Sequence, residues 1–218
     1  MPTAVEFFFD PACPWTWITS RWLATVAPER DLAITWRTWS LVINAEGTPL
    51  PDDLPAPIRE RLAAARGFSQ AALRVLEAAA AAQGNAAVGR LYTELGRRVH
   101  HAEGGYGDGV IAEALAAAGL APDLAGAADD PALDIPIREH MAEIRSRVGG
   151  DVGVPIVSLG AGALSGPILS EVPPLARSLA IWDASSTLIS DPAFAELKRH
   201  RPTGPNPPAI DGEGRAVA

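Results

Sequence analysis

Residues 7–17 read Phe7-Phe8-Phe9-Asp10-Pro11-Ala12-Cys13-Pro14-Trp15-Thr16-Trp17 and decide the fold. The stretch sets the chain's single cysteine between an apolar run and an amphipathic segment, where a strand hands over to a helix. Asp10-Pro11 breaks the run, and Pro14 suits the first helical position, where its missing N–H and fixed φ do no harm. A sulfur in the first turn of a helix faces unpaired backbone N–H groups and the positive end of the helix dipole. Both favour the thiolate, which is the nucleophilic form. In a Cys-x-x-Cys site the cysteine three residues on resolves a disulfide made by the first; that place here holds Thr16. A dithiol cycle within one chain is therefore excluded, and Cys13 must take its second sulfur from another molecule.

Outward from this stretch, Ala4 to Phe9 reads as a buried strand and Pro14 to Ala27 as a helix. Leu32 to Trp39 alternates and is rich in aromatic and β-branched residues, a second strand. From Asp52 to Val148 alanine, leucine, arginine and glutamate recur at helical spacing. They predict helices over 56–66, 69–83, 86–101, 109–118 and 131–148, separated by Gly or Pro signals. β character returns at Val154 to Leu159, with a hairpin at Gly160-Ala161-Gly162. Helices are predicted over 173–189 and 192–200, and the proline-rich tail from Arg201 reads as loosely ordered. The fold class is α/β, with residues 1–48 and 149–200 forming one domain, 49–148 an inserted all-helical domain and 201–218 a tail. A groove between the two parts is the expected ligand site.

Composition narrows the function. A chain of 218 residues, 48% of them apolar, can bury a sizeable core. Its net charge of −8 and scattered Arg and Lys argue against a nucleic-acid partner. No apolar run approaches the ~20 residues that cross a bilayer, and the start Met1 to Glu6 lacks the pattern of a signal peptide. A cytoplasmic protein is expected, and one cysteine fits a reducing compartment. No His/Asp/Glu spacing reads as a metal site. No nucleotide loop is evident either: the glycine-rich stretch Gly104 to Gly109 follows a helix, not a strand, and reads as a connector.

Phe9-Asp10-Pro11-x-Cys13-Pro14-Trp15-x-Trp17-Ile18-Thr19-Ser20-Arg21-Trp22 resembles the N-terminal signature of DsbA-like oxidoreductases, specifically the actinobacterial mycothiol-dependent nitroreductase group. The likeness continues, in one order, through Leu91-Tyr92-Thr93, Arg98-Val99-His100, Asp151-Val152-Gly153-Val154-Pro155, Gly166-Pro167-Ile168-Leu169-Ser170, Trp182-Asp183-Ala184-Ser185 and Phe194 to Lys198. It implies a thioredoxin fold interrupted by the helical insertion, and a cis Val154-Pro155 bond opposite the cysteine. Thr16 departs from the cysteine that such members carry, and Ile58 stands where their pattern has a tyrosine. The wider superfamily includes kappa-type glutathione transferases and hydroxychromene carboxylate isomerases, which place a small hydroxyl residue near Thr16.

Cys13 is the candidate nucleophile, with Pro14 and Trp15 shaping the first turn and screening the sulfur. Thr16 either fills the space of the lost cysteine or donates its hydroxyl to the Cys13 thiolate. By resemblance, the backbone at Val154 and Pro155 pairs with the peptide-like groups of a bound thiol. His100, at a helix end, is a cap or a pocket acid or base. Asn44 serves a turn or, by resemblance, the pocket. His101, His140 and His200 read as structural or solvated.

The function expected is a monothiol oxidoreductase. Cys13 forms a mixed disulfide with a low-molecular-weight thiol, mycothiol ahead of glutathione, and acts on an electrophilic or disulfide substrate. One alternative is an S-transferase or isomerase in which Cys13 and Thr16 activate a cofactor thiol. Another is a binding protein on the same fold without catalysis. The apolar faces of the inserted helices fit a homodimer interface or the insertion's own core equally well.

Overall fold

The structure is a computed structural model and describes residues 1–51, 53–101, 105–107 and 109–217. The chain divides into two compact units. One comprises Met1–Phe9, Cys13–Arg37 and Glu143–Ala218; the other comprises Asp10–Ala12 and Thr38–Ala142.

The first unit is built on a four-stranded sheet of β1 (Thr3–Phe9), β2 (Leu32–Thr38), β3 (Ile156–Leu159) and β4 (Gly162–Ser165), in the order β2-β1-β3-β4. β3 runs antiparallel to both neighbours, with Phe7 opposite Val157 and Ser158 opposite Ala163. The predicted hairpin is the β3–β4 connection. Helix α1 (Pro14–Val26) follows β1, and Trp17, Ile18, Trp22 and Leu23 are fully buried. Phe7 and Phe9 meet Trp36 edge-on, with centroids 5.7 and 6.2 Å apart, a favoured aromatic geometry. Helix α7 (Leu175–Ser190) packs on α1, where the Trp22 indole N–H donates to the Ser178 carbonyl at 3.1 Å. Gly162 lets α7 sit close to the hairpin: a Cβ there would lie 1.9 Å from the Ile189 carbonyl oxygen.

Charged residues tie strands β1, β2 and β3 to the end of α6 (Asp134–Val148). Arg37 pairs with Glu6 and Glu143, and Arg147 pairs with both carboxylates while donating to Ser158 at 2.8 Å. The last residues also hold to α1: Arg21 donates to the Gly214 carbonyl at 2.8 Å and the Ala216 N–H donates to Thr25 Oγ1 at 3.0 Å. The Asp211 carboxylate accepts from Glu213 and Arg215 N–H groups and closes this turn, so the end of the tail is more ordered than its proline content suggests.

The second unit is helical: α2 (Leu41–Asn44), α3 (Ala56–Gln83), α4 (Asn85–His100), α5 (Val110–Ala117) and the first part of α6. Its buried faces include Leu73 and Leu76 of α3, Leu91 and Leu95 of α4, and Leu115 of α5. Two departures from the sequence pattern have physical causes. The helices predicted over 56–66 and 69–83 are one, α3, because a lone glycine costs a helix only about 1 kcal/mol and the runs Ala63-Ala64-Ala65-Arg66 and Ala71-Ala72-Leu73-Arg74 on either side are strong helix formers. No helix forms over 192–200: Asp191 caps a single turn through the Ala193 N–H, and Leu197 is 79% exposed. A segment that short needs a packed apolar face to be helical. Among the described residues no helix is long and apolar enough to cross a membrane. Of the glycine-rich connector, Gly104 and Asp108 lie outside the described residues.

Candidate functional site

Cys13 is the N-cap of α1, with extended backbone (φ −86°, ψ 113°), and Pro14 opens the helix. The fold arises locally. An apolar strand ends at Asp10-Pro11, and proline at the first helical position fixes φ for the turn that follows. The Cys13 carbonyl accepts the Trp17 N–H at 3.1 Å. It also accepts the fully buried Thr16 hydroxyl at 2.7 Å. The Thr16 proton is therefore engaged by the backbone of the residue that carries the sulfur. Cys13 itself is buried, 8% exposed, at the end of the helix where orphan N–H groups collect.

Pro14 and Trp15 are half-buried in this first turn. The Arg201 guanidinium lies over the Trp15 ring, 4.7 Å from its centroid, within cation–π range. The Val154-Pro155 bond is cis, as the resemblance implies, and Gly166-Pro167 is cis as well. The Pro155 carbonyl accepts the Gly166 N–H at 2.8 Å, and the Pro167 carbonyl accepts the Thr19 hydroxyl at 3.0 Å. Strand pairing stops at Ile156, leaving Val154 outside the β1–β3 ladder.

In the helical unit, three side chains hold the segment Asp10–Ala12 that leads to the cysteine. His100, the last residue of α4, donates from Nε2 to the Pro11 carbonyl at 2.9 Å. Burial pushes its pKa down to about 4, against the raising effect of that hydrogen bond. The ring is thus neutral at pH 7 and binds backbone. Tyr106, packed against Phe68 with centroids 5.4 Å apart, donates to the Ala12 carbonyl over a long 3.4 Å. Asp10 is fully buried and accepts three hydrogen bonds, from the N–H groups of Ala12 and Leu41 at 2.9 Å and the Ser69 hydroxyl at 2.7 Å. Burial raises its carboxyl above the ordinary range, while the Leu41, Ser69 and Ala12 donors pull it back.

Asn44 ends α2, and its N–H donates to the Ser40 carbonyl at 2.9 Å. His140 lies with Thr38 and Glu77 in a polar cluster of the helical unit. Sequence reasoning missed Asp10, taken only as a break; its position ahead of proline in an Asx-type turn was the available signal. It also missed Tyr106, hidden in the glycine-rich connector, and Arg201, assigned to the tail. Among the described residues no group of His, Cys, Asp and Glu has metal-binding geometry.

A family model described as Rv2466c-like, mycothiol-dependent nitroreductase Rv2466c, matches residues 12–199. The chain belongs to that family. Its members are thiol-dependent oxidoreductases, and the match takes in Cys13 at the N-cap of α1. The uncharacterised protein Rv2286c of Mycobacterium tuberculosis is 28% identical over 204 residues, covering 90% of this chain and 82% of that protein. Among solved structures, the probable DsbA oxidoreductase SCO1869 of Streptomyces coelicolor superposes with a TM-score of 0.54 at 19% identity, covering 99% of each chain. The cytosolic disulfide reductase DsbM of Pseudomonas aeruginosa, solved with GSH, superposes with a TM-score of 0.52 at 21% identity over 85% of this chain and all of DsbM. These two likenesses establish the fold, a DsbA-like thioredoxin fold with helical insertion.

Proposed function

We propose that the protein is a monothiol oxidoreductase in which Cys13 is the sole nucleophile and mycothiol the partner thiol. The observation that carries the reading is the seat of the only cysteine, at the N-cap of α1 in a chain of a mycothiol-dependent family. The Cys13 thiolate attacks a disulfide, bonds to one sulfur and expels the other as a thiolate. Cys13 is oxidised to a mixed disulfide while the substrate disulfide is reduced. Thr16 supplies no second sulfur, so a second thiol molecule releases Cys13 and restores its thiolate.

The residues present suit a bound thiol. Val154, buried and outside the strand ladder, offers backbone for peptide-like groups, and Trp15 offers an aromatic wall in the first turn of α1. Bound mycothiol supplies the second sulfur and the reducing electrons. Thr16 positions Cys13 through its carbonyl. Acting on reduced, small-molecule pools, such an enzyme belongs in the cytoplasm.

Incubation with mycothiol disulfide or glutathione disulfide, followed by intact mass measurement, tests the reading. One thiol adduct should form on the native protein and none on Cys13→Ser. Full turnover by Cys13→Ser without consumption of thiol reducing equivalents would overturn it in favour of transferase or isomerase chemistry. Absence of both adduct and turnover would favour a binding protein.

A further inference from the structure

The chain carries 26 acidic against 18 basic residues, yet Lys198-Arg199-His200-Arg201 places four basic residues in succession. All four are exposed, in the segment that follows α7. No carboxylate among the described residues forms an ion pair with any of them, although Glu196 stands two places upstream in the same segment. Most other arginines of the first unit are neutralised: Arg30 by Asp183, Arg37 and Arg147 by Glu6 and Glu143, Arg215 by Asp211 and Glu213. Arg201 instead lies over the ring of Trp15, its guanidinium carbon 4.7 Å from the centroid, and Trp15 stands two residues from Cys13. A guanidinium held over an indole face keeps N–H donors whose fork matches a carboxylate. The family match ends at residue 199, so Arg201 lies outside the stretch that family membership accounts for.

We infer that this basic run, through Arg201 on Trp15, is a specificity determinant that favours anionic disulfide substrates at Cys13. The inference rests on Cys13 being the nucleophile. The Cys13 thiolate attacks one sulfur of a carboxylate-bearing disulfide, the S–S bond breaks, and the departing half leaves as an anionic thiolate. The cations concentrate the anionic reactant beside the sulfur without taking part in bond making. Charges outside the Debye length of about 8 Å at physiological salt are screened, so the preference belongs to low ionic strength.

The test compares Cys13 modification rates with 3,3′-dithiodipropionate (anionic), 2-hydroxyethyl disulfide (neutral) and cystamine (cationic). Each is divided by the same disulfide's rate with N-acetylcysteine amide. At 10–20 mM salt the normalised rate for the anionic disulfide should exceed that for the cationic one about ten-fold, shrinking to near equality at 0.5 M salt. Arg201→Ala should lose most of the preference, Arg201→Lys should keep part of it, and Arg201→Glu combined with Lys198→Ala and Arg199→Ala should reverse it. Circular dichroism confirms that each variant is folded. Equal normalised rates in the native protein, or a preference unchanged in these variants, would overturn the inference while leaving Cys13 as nucleophile. Failure of all three disulfides to modify Cys13 would overturn both this inference and the proposed function.

Discussion

His100 Nε2 donates to the carbonyl oxygen of Pro11 across 2.9 Å, tying the end of α4 to the residue two places before the cysteine. The bond assigns the tautomer, with the proton on Nε2. It also defines the role of a histidine whose sequence position is equally compatible with an acid or base. A ring that gives its proton to a buried carbonyl, with its pKa pushed down to about 4, is a neutral clamp at pH 7.

Stability should carry the mark of this clamp below neutrality. The unfolded chain takes up a proton on His100 near pH 6.5, while the folded protein refuses it until about pH 4. Stability is therefore full above pH 6.5 and falls as pH drops through the window from 6.5 to 4. The loss is at most about 3 kcal/mol, because part of the ring meets water. In His100→Gln, whose amide can still donate to Pro11, urea midpoints should fall less steeply between pH 7 and pH 4.5. Parallel slopes for the two proteins would refute the assignment.

Asp10 should be the more sensitive of the two anchors. Its carboxylate takes three donors at once, and an amide in its place must turn N–H groups toward at least one of them. Asp10→Asn is expected to cost about 1–3 kcal/mol despite its identical size, the penalty of leaving buried donors unpaired. Ser69→Ala, which removes a single donor, should cost about 1 kcal/mol. Equilibrium urea unfolding at pH 7 checks both, and an Asn variant as stable as the native protein would contradict the hydrogen-bond pattern.

Why some of this was legible in the sequence and some was not follows from the range of the interactions. The strand, cysteine and helix order around Phe9, Cys13 and Pro14 depends on neighbours in the chain, as does the Gly160–Gly162 hairpin, and local pattern suffices for both. Two of the three partners of Asp10 lie 31 and 59 residues away, and Arg201 meets Trp15 across most of the chain. No periodicity encodes such pairings. The absent helix over 192–200 is the converse case: local propensity was adequate, but Leu197 finds nothing to bury it.

Two glycines should respond to alanine in opposite directions. At Gly162 the new Cβ would meet the Ile189 carbonyl oxygen at 1.9 Å, and because the obstacle is backbone, no side-chain rotation relieves it. Gly162→Ala should cost about 3 kcal/mol or more, as α7 must move from the hairpin. At Gly67, inside α3, a Cβ meets nothing within 4 Å. Gly67→Ala should stabilise the protein by up to about 1 kcal/mol through helix propensity. Thermal unfolding of the two variants beside the native protein decides the matter.

Thr16→Cys tests how much of the chemistry the threonine withholds. The side chain at this position is fully buried and reaches the Cys13 carbonyl at 2.7 Å, so position 16 is within local reach of the residue that carries the nucleophile. A cysteine there fits the volume, losing one hydrogen bond worth about 1 kcal/mol, and creates the Cys-Pro-Trp-Cys spacing of a dithiol site. The second thiolate can then attack the mixed disulfide on Cys13, closing an internal disulfide and expelling the small thiol without a second thiol molecule. Intact mass after exposure to glutathione disulfide should show the persistent adduct of the native protein replaced by a species two mass units lighter than the reduced variant. Formation of that species should not depend on any excess of small thiol, whereas its reduction consumes two small-thiol molecules. If the variant instead accumulates the same long-lived adduct as the native protein, residue 16 does not control resolution, and the monothiol cycle has another cause than the missing sulfur.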